Sequence, residues 1–281
     1  MRNPRPRVLD RVDLLLVRAA KLRRAPLDET GDYEQFFTAE DLSKAVRDVR
    51  FAWRFRLARH AFDGLFADGS ADVVDVGCGL GVSRLYLPPQ CNFVGIDVSA
   101  RTLALARQIH GANADLRQGG FPRLPLPSNS CDFALCLEVL EHVGDDAQAL
   151  RELSRILRPG KYLLLSVPNT YYWPLYRSLI GHYRHYTAES LEKLLNDSGF
   201  EIIERFRQFV QFWRYYHYAY VLLQFFERLV HKTGARDYSI LESVVYRRLA
   251  ALILCRLMSR VDERDPTSTF LLCQRMVEPA L

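Results

Sequence analysis

The stretch Asp72-Val-Val-Asp-Val-Gly-Cys-Gly-Leu-Gly-Val82 decides the fold. Val73, Val74 and Val76 form the β-branched apolar run of a strand covered on both faces. Gly77, Gly79 and Gly81 follow at alternate positions, and a turn made of them can bring bare backbone against a ligand. Working outward, Asn92-Phe-Val-Gly-Ile-Asp97 is a second such strand, ending in an acid where a ribose sits in a doubly wound sheet. The glycine spacing is G-x-G-x-G. A dinucleotide fingerprint needs G-x-G-x-x-G/A, and the sixth position from Gly77 is Val82.

Asp75 to Gly81, written D-x-G-x-G-x-G, and Gly95-Ile-Asp97-Val-Ser99 together resemble the first two motifs of class I S-adenosylmethionine-dependent methyltransferases. The resemblance runs on through the loop and fourth strand, Leu124 to Val143, and through the helix and Pro-Gly turn, Leu150 to Lys161. The fifth strand follows, Tyr162 to Asn169, and a last strand lies near Thr269 to Met276. The resemblance implies an α/β fold. It would be a Rossmann-like, doubly wound, mostly parallel seven-stranded sheet, with N-terminal helices and a helical insertion before the last, antiparallel strand. It also implies S-adenosylmethionine as cofactor, bound by Asp75, Gly77, Cys78, Gly79, Gly81, Asp97, Val98, Gly120, Phe121 and Leu137. In that family the second-motif acid accepts the ribose hydroxyls, which falls on Asp97, while Asp75 anchors the turn. One position departs from the family: Gly120 stands where an acid usually accepts the adenine amino group, leaving the backbone of Gly119 to Phe121, or Asp115, to do so.

A chain of 281 residues, 49% of them hydrophobic, can bury one sizeable core and decorate it. The expected organisation is a basic helix and lid over residues 1–37, a core over 38–206, an aromatic-rich helical insertion over 207–267, and the last strand and C-terminus over 268–281. Thr38-Ala-Glu-Asp41 reads as a capping box opening a helix to about Phe62, with a Val46, Val49, Trp53 and Leu57 stripe facing the sheet. The six cysteines lie singly at 78, 91, 131, 136, 255 and 273, which predicts reduced thiols and a cytoplasmic site. The N-terminus does not read as a signal peptide, and no apolar run reaches the length of a spanning helix. The net charge of +5 is mild and clustered, at Arg18 to Arg24 and at Arg47 to Arg59. A solvated helix face explains both clusters, and with no recognisable module nucleic acid is an unlikely partner. The insertion's aromatic run, Phe212-Trp-Arg-Tyr-Tyr-His-Tyr-Ala-Tyr220, suits packing on the core, an apolar or lipid-linked small-molecule acceptor, or peripheral membrane contact. Oligomeric state is not legible.

Methyl transfer needs an acceptor held in line and, for a hydroxyl, a base or a metal. His142, His182 and His185 are the candidate catalytic residues. Glu138, Glu141 and His142 form E-x-x-E-H at a predicted helix start, where positions three and four apart share a face. This pattern resembles metal-dependent O-methyltransferases of ubiquinone biosynthesis and small-RNA 2′-O-methyltransferases, so these three are an alternative metal set, although the reading adopted has no metal. Gly181-His-Tyr-Arg-His-Tyr-Thr187 resembles the acceptor-side H-x-R-x-Y-T segment of methyltransferases acting on small molecules, glycans or lipid-linked precursors. The expected function is O-methylation of a small or lipid-like acceptor. The alternatives are a metal-dependent RNA 2′-O-methyltransferase and a non-catalytic scaffold, to which Gly120 alone points.

Overall fold

The valine run becomes the sheet's buried first strand, and the elements follow in alternation. They are α1 (Val49–Leu65), β1 (Asp72–Val76), α2 (Val82–Tyr86), β2 (Asn92–Asp97), α3 (Ala100–His110), β3 (Leu116–Gln118), β4 (Cys131–Leu137), α4 (Asp146–Ile156), β5 (Leu157–Pro168), α5 (Ala188–Asp197), β6 (Phe200–Gln208) and β7 (Ser268–Arg275). A single 3₁₀ turn, Leu140–His142, joins β4 to α4. This computed structural model describes residues 49–168, 181–208 and 268–277, the side chains of 49–53 and 207–208 excepted. The chain divides into two compact units, one of residues 28–169, 186–208 and 268–281, the other of 1–27, 170–185 and 209–267.

The first unit holds one seven-stranded sheet in the order β3-β2-β1-β4-β5-β7-β6. Strands β1 to β5 pair in parallel, and β7 inserts antiparallel between β5 and β6. That is the doubly wound sheet with an antiparallel last strand that the motifs imply. Alternate residues of the central strands feed two cores. Val74, Val76, Ala134, Cys136, Leu163 and Leu165 pack with Leu150 and Leu153 of α4. Val73, Phe133, Leu135 and Leu164 pack instead with Leu57, Ala58, Ala61 and Phe62 of α1. The two-residue period of a strand buried on both faces is the cause. In α1 the expected stripe is confirmed at Leu57; Val46 and the Thr38–Asp41 cap lie outside the described residues, as does the Trp53 side chain.

One detail differs from expectation. The Pro159-Gly160 pair was read as a turn before the fifth strand, but β5 begins at Leu157 and contains it. The pair sits in an irregularity where pairing jumps from Cys131↔Leu157 to Phe133↔Tyr162. Gly160 takes φ 73° there, and the bulged segment turns Arg158 and Lys161 onto Asp132, at 2.7 and 3.4 Å. Arg158 also reaches Asp72 at 2.7 Å. The five described cysteines are free and buried. Among the described residues, no helix is long and apolar enough to cross a membrane.

Candidate functional site

Strand register assembles the site. Val76 pairs with Ile96 on one side and Cys136 on the other, so the next residues, Gly77, Asp97 and Leu137, emerge side by side at the carboxyl ends of β1, β2 and β4. Asp97 pairs in turn with Gln118, which brings Gly119 and Gly120 to the same rim. Strand order reverses between β1 and β4, and ligands of open α/β sheets bind in the crevice at such a point.

Gly77, Gly79 and Gly81 all have positive φ, at 74°, 52° and 69°. The turn is braced throughout: Gly77 and Cys78 N–H donate to the Ile96 carbonyl at 2.8 and 3.0 Å, and Gly81 N–H donates to the Cys78 carbonyl at 2.9 Å. The glycines were expected to open backbone to a ligand, yet neighbouring side chains fill two of the three spaces. A Cβ at Gly77 would lie 2.4 Å from Val139 Cγ2, and one at Gly81 would lie 2.8 Å from His110 Nε2. Cys78 is buried with its thiol against Gly95, and burial, with Asp75 and Asp97 adding, pushes that thiol well above its usual range. It is therefore protonated and unreactive.

Asp75 lies beneath the turn, 4% exposed, and accepts a hydrogen bond from the Ser83 hydroxyl at the start of α2. It thus ties β1 to the helix after the glycines. Burial pushes its carboxyl up to about 7, with the nearby Asp97 charge adding to the effect and the Ser83 bond opposing it. Asp97 accepts from Gly79 N–H through Oδ2 and from Ser99 N–H through Oδ1, both at 2.9 Å. Burial raises its carboxyl too, against these backbone bonds. A carboxylate offers about four lone-pair sites, so each oxygen retains acceptor capacity.

Beside the acid, Val98 is an exposed apolar side chain. It also explains the departure at Gly120, where a Cβ would fall 2.5 Å from Val98 Cγ1. A side chain at 120 would have to push Val98 aside. Phe121 is partly buried against the core, and Leu137 is buried at the end of β4. Asp115, the other candidate for the base, is engaged by Arg117 at 2.7 Å, which holds its carboxyl below the usual range. A retained acceptor pair on Asp97 beside an exposed apolar side chain fits a nucleoside with a ribose diol.

The E-x-x-E-H segment is not the helix start expected. Glu138 takes left-handed φ 58°, and only Leu140–His142 make a 3₁₀ turn. The cause is Ser166 in β5: its hydroxyl donates to Glu138 Oε1 at 2.9 Å, and its carbonyl and hydroxyl both receive Glu138 N–H, at 2.9 and 3.1 Å. Glu138 and Glu141 therefore do not share a helix face. Glu141 is buried, and burial followed by the Glu138 charge pushes its carboxyl well up. His142 is partly exposed, with Nε2 4.0 Å from Glu141 Oε1. Tyr186 is buried, with its hydroxyl 3.0 Å from Asp146 Oδ2 and 3.4 Å from the Leu140 carbonyl oxygen, pinning the turn that carries His142. His182 and His185 belong to the other unit, where His182 Nδ1 and His185 Nε2 meet at 2.7 Å.

Sequence reasoning missed Ser83, Ser166, Val139 and His110. A lone serine within Leu163-Leu-Leu-Ser-Val167 was a usable signal, because a buried hydroxyl needs a partner. The other three act through contacts that no local pattern encodes.

A family model described as a methyltransferase domain matches residues 74–165. A Mycolicibacterium smegmatis protein named a probable S-adenosylmethionine-dependent methyltransferase is 35% identical over 135 residues, 47% of this chain and 52% of that protein. An Aspergillus nomiae O-methyltransferase is 29% identical over 163 residues, 53% of this chain and 72% of that enzyme. The chain thus spans about half the length of the first of these relatives. Among solved structures, a Haloferax volcanii protein in complex with a methyltransferase activator superposes with TM-score 0.58 at 16% identity, over 90% of this chain and 100% of that one. At such identity the likeness speaks to fold alone. Motifs, sheet order and family match coincide, and over residues 74–165 the chain carries a methyltransferase domain whose relatives include probable S-adenosylmethionine-dependent methyltransferases.

Proposed function

We propose that this protein transfers a methyl group from S-adenosylmethionine to an oxygen of a small or lipid-like acceptor. The observation that carries the reading is Asp97, held at the strand rim by Gly79 and Ser99 N–H with acceptor capacity to spare for a ribose diol. Around it, Gly77, Cys78, Gly79 and Gly81 shape the turn, Asp75 fixes the turn from below, and Val98, Gly120, Phe121 and Leu137 line the remaining rim. The bound cofactor would supply an electrophilic methyl on a sulfonium. The protein's own work is to hold the acceptor oxygen in line, keep water out and remove the acceptor's proton.

His142 is the proposed base. It is partly exposed on a turn pinned by Tyr186, and it stands next to a Glu141 whose carboxyl burial keeps from ionising readily. Glu138, held by Ser166, is assigned to positioning that turn. His182 and His185 are proposed to face the acceptor. The relative named as an O-methyltransferase supports oxygen as the methylated atom.

The test is transfer of labelled methyl to a panel of small hydroxylated and lipid-linked acceptors and to RNA, with and without chelator. The account expects label in a small acceptor, insensitive to chelator and lost in His142→Gln. Label in RNA that depends on divalent metal would replace it with the RNA reading, and cofactor binding without transfer to either would favour a scaffold.

A further inference from the structure

Helix α3 runs from the acid to the glycine turn and is tied at both ends. At its N-terminus Ser99 caps the helix, its hydroxyl accepting from Thr102 N–H at 3.1 Å, while Ser99 N–H donates to Asp97. Its buried stripe is Leu103 and Ala106, packed with Cys78 and Leu116. His110 comes next on that face, at the seventh position from Leu103, where an apolar residue would continue the stripe. Its Nε2 lies 2.9 Å from the Leu80 carbonyl oxygen, inside the glycine turn. A carbonyl only accepts, so Nε2 carries the hydrogen and donates.

A second contact meets the same peptide. A Cβ at Gly81 would lie 2.8 Å from that nitrogen, so the glycine is what lets the ring close on the turn. Leu80 is buried, and its carbonyl would otherwise need a partner from the protein. The adjoining residue, Gly79, is held from the opposite end of the helix through Asp97. Gly79 and Leu80 are thus held from two sides, by Asp97 at the end of β2, itself bonded to the α3 cap Ser99, and by His110 at the end of α3.

We infer that His110 is a positioning residue for the cofactor turn: through Leu80 it fixes the Leu80–Gly81 peptide and thereby sets the affinity for S-adenosylmethionine. The inference rests on the reading of this turn as the cofactor cradle, and two readouts separate the two ideas. The first needs no ligand: amide hydrogen exchange at Gly81 and Arg84, whose N–H groups close the turn onto the Cys78 and Gly81 carbonyls. The second is calorimetric titration of S-adenosylhomocysteine into wild type, His110→Ala and His110→Gln. Glutamine is the decisive variant, since its amide nitrogen can stand near the imidazole Nε2 and donate in its place.

In His110→Ala both amides should exchange faster and affinity should fall about tenfold, the scale of one hydrogen bond, while His110→Gln recovers most of both. Unchanged exchange in His110→Ala would overturn the clasp. Faster exchange with unchanged affinity would overturn its role toward the cofactor, leaving a merely structural histidine. An equal loss in the alanine and glutamine variants would overturn the hydrogen bond as the cause. Wild type that fails to bind while its amides still respond to His110→Ala would remove the cofactor reading and leave the clasp standing. Should the alanine variant not fold, the glutamine variant still decides, because the inference requires it to fold and bind nearly as wild type.

Discussion

Replacing Asp75 with asparagine should stabilise the ligand-free protein, and by an amount that depends on pH. The side chain is 4% exposed, its hydrogen-bond donor among the described residues is the Ser83 hydroxyl, and burial lifts its carboxyl from 3.8 to about 7. A folded-state value above the unfolded one means that the native protein binds the extra proton. Stability is therefore highest at low pH, falls as pH rises through the interval from 3.8 to about 7, and is flat above it. Asparagine keeps an acceptor for Ser83 and carries no charge at any pH. At pH 5 the wild-type group is already protonated when folded; at pH 8 it must be held as a buried anion. Two pH units of linkage, from 5 to 7, at about 1.4 kcal/mol each, widen the gap between variant and wild type by about 2 to 3 kcal/mol. At about 2 to 4 °C per kcal/mol, that is a differential Tm shift of roughly 5 to 10 °C. Thermal melts of both proteins at pH 5, 6, 7 and 8 measure it. A gap that stays constant across that range, or narrows as pH rises, would refute the assignment of a buried, reluctantly ionised carboxyl beneath the turn.

Other perturbations follow from the same contacts. Gly77→Ala places a Cβ 2.4 Å from Val139 Cγ2 at φ 74°, and the left-handed cost plus overpacking should remove about 2 to 4 kcal/mol in urea denaturation. Glu152 is buried, accepts from Leu124 N–H at 2.7 Å and is paired with Arg155, so Glu152→Ala should cost about 2 to 4 kcal/mol and Glu152→Gln less. Arg158, by contrast, is partly exposed where it bridges Asp72 and Asp132. Arg158→Ala should cost no more than about 1 kcal/mol at low salt, and the loss should shrink toward about 0.5 M salt.

The parts of the molecule that local sequence could disclose are those built from local periodicity and backbone freedom. The valines of β1, the terminal acid of β2 and the three glycines between them announce parallel strands and a tight turn, because strand period and positive φ leave their mark on residue type. The E-x-x-E-H segment shows the limit of that reasoning. Its spacing suits a helix, but Ser166, twenty-eight residues onward in β5, holds both the Glu138 backbone and its carboxylate and forces a left-handed residue. Gly120 is similar: it looks like a missing acid until Val98 is seen standing where a side chain would go. His110 resembles the end of an amphipathic helix until its ring meets Leu80. In each case the information lies in a tertiary partner. The expectations for the basic helix and lid before Val49, for Cys255 and for the aromatic insertion fall outside the described residues.

The central claim, that the rim around Asp97 holds S-adenosylmethionine, is tested most directly by calorimetric titration of S-adenosylhomocysteine into wild type and Asp97→Ala. The account predicts saturable one-to-one binding by wild type. Loss of the hydrogen bonds to a charged acceptor should weaken it in the variant by about 1.5 to 3 kcal/mol, roughly ten- to a hundredfold. No binding by the folded wild-type protein, or equal affinity in the variant, would contradict it.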